Sequence, residues 1–448
     1  MKINKIKQDA SAQKEKLSQA VQLALNESMK VAEAAEVAIT QSTGIDVSTR
    51  LGNIENVEFN SDGALSIVVY SQHRKGSAST NALSPQAIKQ AVKAALDIMQ
   101  YTSVDPNSGI GDKALMAFNA PDLDLFYPSD LNVDNAVKLA LDAEQAALAI
   151  PQITSSDGSS YSSSYGIHVY GNSHGMLESY CASRHSLSTC VIAEQDGQME
   201  RSYAYTTARD TRDLRLAQWV GEEAANKTIA HLGARQIETM NVPVLFSAEV
   251  ATGLFSHLAG ALSGGAIYRQ SSFLVDALGR QIFPSWLNIV ENPHILKGLG
   301  SAPFDSEGTR TKQQEIIRDG VVSTYLLGNY SARKLGLITT GHASGIHNWQ
   351  ISPNHGAFED MLKLMDRGLL VTSLMGQGVN MITGDYSRGA SGFWVKNGQI
   401  QYPVNEVTIA GNLSEMFNQI IAIGRDTEMR GRIQTGSVLI ENMSIAGK

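Results

Sequence analysis

The chain has 448 residues, 43% of them hydrophobic and 18% charged, which is the composition of a packed globular protein and excludes a disordered one. Its formal net charge is −8 and no Lys/Arg run is longer than Arg74-Lys75, which argues against a phosphate-neutralising surface and so against nucleic acid as a direct partner. No stretch approaches the ~20 apolar residues of a membrane helix, and the length allows about three units of ordinary domain size.

The opening segment MKINKIKQDASAQKEKLSQAVQLAL is charged throughout and has no apolar h-region, so a cytoplasmic location and no membrane partner are expected. Residues 12–37 are rich in Ala, Lys, Glu and Gln, with Leu17, Val21, Leu25 and Val31 as apolar positions of a predicted helix. Strand-like runs follow at Glu36–Gln41, Asp46–Asn53 and Ala64–His73, the last preceded by a turn signal at Asp62-Gly63. Ser84-Pro85 then opens a helix to about Tyr101, serine as N-cap and proline at the first helical position. Residues 102–130, rich in Asp, Pro, Asn and Gly, read as a connecting loop.

The order then recurs, with a helix at 131–149, strands at 161–170, 175–184, 186–196 and 200–208, and a helix at about 212–232. Both copies end in a strand bearing small hydroxyl residues that feeds an Ala-rich helix, so a duplicated α+β unit is expected. Cys181 and Cys190 are the only cysteines; without a CxxC or Cys/His spacing they read as ordinary strand residues.

After Val242 the pattern changes to short strands with frequent glycines, at Arg310–Ile317, Val321–Leu327, Leu369–Leu374, Gly392–Val395, Gln399–Pro403 and Ser437–Met443. Asp319-Gly320 and Asn397-Gly398 mark hairpins. Helices are expected at 248–262 and 411–424, the latter capped by Asn412 or Ser414. The expected fold is therefore α+β: a duplicated helix/β-meander/helix region, units 1–110 and 111–238, followed by a mostly antiparallel, β-rich domain with a few helices at 239–448.

Residues 244–274, VLFSAEVATGLFSHLAGALSGGAIYRQSSFL, contain a stripe of Val250, Leu254, Leu258 and Leu262 at i, i+4 spacing, a helix packed on a core. At this point the chain resembles the TldD/PmbA family, whose two subunit types share a fold. GHASGIHNW (341–349), residues 374–413 and the terminal IAGK strengthen the resemblance, which covers essentially the whole chain and is greatest to the PmbA (TldE) type. In the TldD type this helix carries His-Glu-x-x-x-His, two zinc ligands and a general base, with a third, cysteine ligand near the C-terminus. Laid on that pattern this chain offers Ser256, His257 and Ala261, and Leu439 at the cysteine position. Catalytic zinc takes three protein ligands and an open site, so no catalytic residues and no metal are expected here.

His342, His347 and His355 are the one histidine concentration, in a Gly- and Pro-punctuated loop with no carboxylate or cysteine nearby in sequence. A metal, a substrate or partner groove lined by His342, His347 and Asn348, and a packed polar loop all remain open readings. In GDYSRGASGFWV, Asp385 and Arg388 are either a local ion pair beside a tight turn or part of a strand edge that accepts an extended peptide. Ser256 and His257 diverge by ~100° on a helix and cannot act as nucleophile and base. No GxSxG elbow or GxxxxGK[ST] loop occurs, and Gly260, Gly264 and Gly265 end the helix.

The resemblance implies a non-catalytic subunit of a metallopeptidase that processes unfolded peptides and peptide precursors. Its zinc would sit in a TldD-like partner, with a heterodimer as the active form and a homodimer possible alone. Two alternatives stay open: an interaction or regulatory protein without proteolysis, and an autonomous hydrolase with an unrecognised site.

Overall fold

A computed structural model describes residues 2–130 and 132–448; the expected helix start at residue 131 lies outside them. The first copy of the duplicated unit runs α1 (Lys2–Ser28), β1 (Ala34–Arg50), β2 (Asn53–Ser71), β3 (Arg74–Thr80) and α2 (Pro85–Tyr101). The second runs α3 (Val133–Leu148), β4 (Ile153–Asn172), β5 (Leu177–Gln195), β6 (Gln198–Ala208) and α4 (Ala217–Ala230). The six strands form one sheet, order β3-β2-β1-β4-β5-β6, antiparallel throughout and seamed by β1 against β4.

Alternation explains the layering. Val37 and Ile39 of β1 are buried with α1 and α2, and Ile45 and Val47 with α3 and α4; all four are odd-numbered residues on one regular strand, so all four helices cover one face. The other face, with Ala38, Tyr170 and Tyr180, packs on Phe304 of the C-terminal region. Ser84 caps α2 as expected, its hydroxyl accepting from Ala87 N. Several boundaries differ from expectation: the helix expected over 12–37 ends at Ser28, and the runs Glu36–Gln41 and Asp46–Arg50 lie on the one strand β1. Asp62-Gly63 lies inside β2 opposite Gln41 and Ser42, and the chain turns instead at Leu51-Gly52, with φ of 50° and 77°. The fully buried Glu144 of α3 holds that turn, accepting from Leu51 N at 2.8 Å and Gly52 N at 3.0 Å. In the second copy residues 177–195 form one continuous strand where two were expected. Cys181 and Cys190 both lie on it; nine residues of strand span roughly 30 Å, too far for a disulfide.

The C-terminal region runs β7 (Met240–Phe246), α5 (Ala248–Ala261), α6 (Gly264–Tyr268), β8 (Ile289–Glu291), β9 (Gln314–Arg318), β10 (Val321–Val322), α7 (Asn329–Lys334), β11 (Trp349–Ile351) and α8 (Phe358–Met365). It continues with β12 (Gly368–Met375), β13 (Asp385–Lys396), β14 (Gln399–Asn412), α9 (Leu413–Asn418), β15 (Ile420–Ile423), β16 (Ile433–Gln434) and β17 (Val438–Ala446). One sheet has the order β14-β13-β12-β7-β17-β15, and a further β14–β17 pairing closes five of its strands on themselves. The second has the order β10-β9-β8-β11-β16. Only the β7–β12 and β11–β16 pairings are parallel among the described strands. The helix expected at 411–424 stops at Asn418, because Ile420–Ile423 pairs with β17; Asn412 is its cap, accepting from Ser414 N at 3.0 Å.

Candidate functional site

β7 delivers the chain directly into α5, and the sheet has two differently packed faces. Val244, Phe246, Val438 and Ile440 share a core with Leu254, Phe255, Leu258 and Ala261 of α5. Leu245 and Leu439 point the other way, into a cluster closed by Met361, Leu362 and Met365 of α8. Leu439, the expected third-ligand position, therefore faces away from α5 on strand alternation and is not brought beside Ser256, His257 and Ala261.

The remaining motif positions do not converge. Ser256 is exposed, and its hydroxyl donates back to Thr252 O at 3.0 Å. His257 is half-buried, edge-on to Tyr386 with ring centroids 6.1 Å apart. Burial, and then the Arg388 guanidinium, push its pKa down, so the imidazole is neutral at physiological pH. Ala261 is wholly buried among apolar side chains. One imidazole beside a hydroxyl and a methyl is no donor set for catalytic zinc, and the residues present do not fit that ion.

Asp385 and Arg388 are not an ion pair. Three residues apart on β13, they project to opposite faces. Asp385 is bound by Thr383 Oγ1 at 2.6 Å and Asn412 Nδ2 at 3.2 Å, contacts that hold its carboxyl below the ordinary value. Arg388 lies on the side of Tyr386 and His257. The Tyr386 hydroxyl and Arg388 Nε are both buried without an aligned hydrogen-bond partner, although Arg388 is close enough to act electrostatically on the phenol, whose pKa burial raises to about 12.

The histidine loop gains a carboxylate that its own sequence lacks. Glu291, fully buried on β8, lies 2.8 Å from His342 Nε2 and 3.1 Å from His347 Nδ1 through Oε1, while Oε2 accepts from His347 N and Trp349 Nε1, both at 2.9 Å. His342 Nε2 is close but outside hydrogen-bond alignment; its Nδ1 contacts Thr340 Oγ1 at 2.8 Å. Burial drives the Glu291 carboxyl upward, and the two imidazoles outweigh it, holding the group well below the carboxylate range. Among the described residues this is the one cluster whose three ligand-type atoms all lie within 4.8 Å of one another. By contacting both imidazoles, His347 N and Trp349 Nε1, the Glu291 carboxylate anchors the loop to β8.

Asn348 is likewise spent internally, donating to Asn292 O and Ser301 Oγ, each at 2.8 Å, and accepting from Gly300 N. His342 and Asn348 thus do not line a groove, and His355 lies apart, at the end of the loop near β15. His347 does border a cavity through its other edge. The sequence reading missed Glu291, 51 residues before His342. Its signal was a lone acid flanked by Ile289 and Val290 on a short strand, a pattern that marks a buried, partnered carboxylate.

The chain thus joins a helix–meander–helix lobe, present in two copies, to a closed strand sheet with α5 springing from its central strand β7. The chain belongs to the PmbA/TldA metallopeptidase family: its first domain matches over residues 35–98, its central domain over 126–232 and its C-terminal domain over 239–447. It is 58% identical over 445 residues to Metalloprotease PmbA of Escherichia coli O157:H7, covering 99% of each chain. To the Metalloprotease PmbA homolog of Haemophilus influenzae it is 53% identical, covering 97% of each. A crystal structure from Bacteroides thetaiotaomicron superposes with a TM-score of 0.90 at 26% identity, covering 96% of this chain and 98% of that one. TldE from Thermococcus kodakarensis shares the fold, with a TM-score of 0.84 at 22% identity, covering 96% and 100%.

Proposed function

We propose that this chain is the zinc-free subunit of a TldD/PmbA-type metallopeptidase and completes the active complex with a TldD-like, zinc-binding partner. The observation that carries the reading is the α5 surface. A metallopeptidase-family chain with exposed Ser256, half-buried His257 and core Ala261 at the motif positions retains the architecture and lacks the means to activate water. Its contribution is then made through the partner: shaping the chamber and admitting extended peptides. The relatives named metalloproteases support the protease-family role. A cytoplasmic complex acting on unfolded peptides, without nucleic acid or membrane as ligand, follows from the same reading. No helix among the described residues is long and apolar enough to cross a membrane.

The test is a peptide-degradation assay on this chain alone, on a TldD-like chain carrying His-Glu-x-x-x-His alone, and on the mixture. The expected result is background cleavage by this chain alone, with chelator-sensitive cleavage by the mixture. Light scattering of the mixture should show a stable complex, which requires an interface above about 1,000 Å². Chelator-insensitive hydrolysis by this chain alone would overturn the proposal.

A further inference from the structure

On the helix-free face of the N-terminal sheet, a cavity of about 400 Å³ opens between that sheet and the C-terminal region. Arg184 from β5, Arg209 just beyond β6 and Arg432 just before β16 all line it. None of the three forms an ion pair among the described residues. Arg209 is fixed by carbonyl oxygens, donating to Ser183 O at 3.0 Å and Leu299 O at 2.9 Å, which orients the guanidinium and leaves its charge uncompensated. Arg184 donates to Thr207 Oγ1, and Arg432 to Ile346 O, each at 3.3 Å; both side chains are otherwise exposed.

The cationic character is felt by the neighbouring groups. Burial, and then repulsion from Arg184 and Arg432, push the Arg209 pKa down to about 10. Burial and Arg209 together push His168, which stacks on Tyr180 with centroids 4.7 Å apart, down to about 4. The one carboxylate on the wall, Asp305, forms no ion pair with them among the described residues; its oxygens accept from the backbone N–H groups of Glu307, Thr309 and Ala343. His347, only 3% exposed, borders the cavity with its Nε2 unpartnered.

Three like charges gathered at a concave, partly desolvated surface cost free energy that an anion recovers, and guanidinium forks match a carboxylate bidentately. The volume falls in the ~300–1,000 Å³ range of small-ligand sites. We propose that this cavity is a carboxylate-binding site, and that its ligand is the free C-terminal carboxylate of a short peptide, held by Arg184, Arg209 and Arg432 with the peptide running over Tyr180. The choice of a peptide as bearer of the carboxylate rests on the peptidase-subunit reading above; the anion site itself does not.

Binding is measured by calorimetry on the full chain alone, so the result is independent of any peptidase activity. The probes are a tetra-alanine peptide with a free C-terminus, the same peptide amidated, and inorganic phosphate. The free acid is expected to bind at least about tenfold more tightly than the amide. Arg184→Gln and Arg432→Gln, at exposed side chains that the fold tolerates, should each weaken it by about ten- to a hundredfold, the value of a charge-assisted hydrogen bond. Arg209→Gln should do the same, with its folding checked by circular dichroism. Equal affinity for acid and amide, or full affinity in the Arg184→Gln/Arg432→Gln double variant, would overturn the proposal. Binding of phosphate without the peptide would also overturn it, assigning the cavity to inorganic oxyanions.

Discussion

Ala261 decides what the α5 pattern can be turned into. Its methyl group is sealed in the core shared by Phe246, Leu258 and Val438, so an imidazole there has neither room nor partner. Rebuilding the motif by Ser256→His, His257→Glu and Ala261→His should cost roughly 2–4 kcal/mol and yield no chelator-sensitive peptidase activity. Adding Leu439→Cys should leave zinc content unchanged, since residue 439 faces the α8 side of the sheet. Thermal unfolding and elemental analysis check both, and about one zinc per chain in the quadruple variant would contradict the assignment. Glu291 is the converse case, a buried carboxylate with partners on every side. Removing its charge by Glu291→Gln should cost about 3 kcal/mol at neutral pH, the penalty of breaking a buried charged cluster. Its folded pKa lies below the unfolded value near 4.5, so this stabilisation is present above about pH 4.5 and is lost as pH falls toward the folded value. The gap in Tm between wild type and variant should accordingly narrow below that pH. A gap that stays constant through the acid range would show that Glu291 acts through packing alone.

At the scale of elements, periodicity carried the reading a long way and stopped at pairing. Leu17, Val21 and Leu25 are buried as their spacing required, whereas Val31 lies beyond the end of α1 and is exposed; Leu254, Leu258 and Leu262 are buried and Val250 partly so, and the Ser84 and Asn412 caps are where side-chain chemistry put them. Asp62-Gly63 has the residues of a turn, yet the long register of β1 against β2 carries it straight through. A turn signal is local, and the competing ladder is formed by residues up to 36 positions apart, Ala34 with Tyr70. The turn at Leu51-Gly52 is instead secured from outside by Glu144. Glu144→Ala should therefore destabilise the protein by about 1–3 kcal/mol and speed amide exchange first at residues 49–54; protection unchanged there would show that the glycine alone sets the turn.

At the scale of the whole molecule, residues 102–130 are more than a connector. Arg333 of α7 donates to the carbonyls of Asn107, Gly109 and Ile110, and the Tyr330 hydroxyl donates to Asp105 at 2.7 Å, so the loop clasps the C-terminal region to the N-terminal lobe. Arg333→Ala should cost about 2 kcal/mol and open residues 102–112 to limited proteolysis; an unchanged cleavage pattern would place the clasp elsewhere. The α+β class, the duplicated unit and the change of pattern after Val242 were determined by the sequence alone, because periodicity and turn residues are properties of short segments. Which residues meet was decided only by the tertiary structure. The register of β17 against β7 set Leu439 beside Leu245 on the α8 side of the sheet, opposite strand faces separated Asp385 from Arg388, and β8 brought Glu291 to the histidine loop. Arg184, Arg209 and Arg432, scattered over 249 positions of the chain, became one charged cavity for the same reason: charge and ligand chemistry act over a few ångströms, and only folding brings distant residues that close.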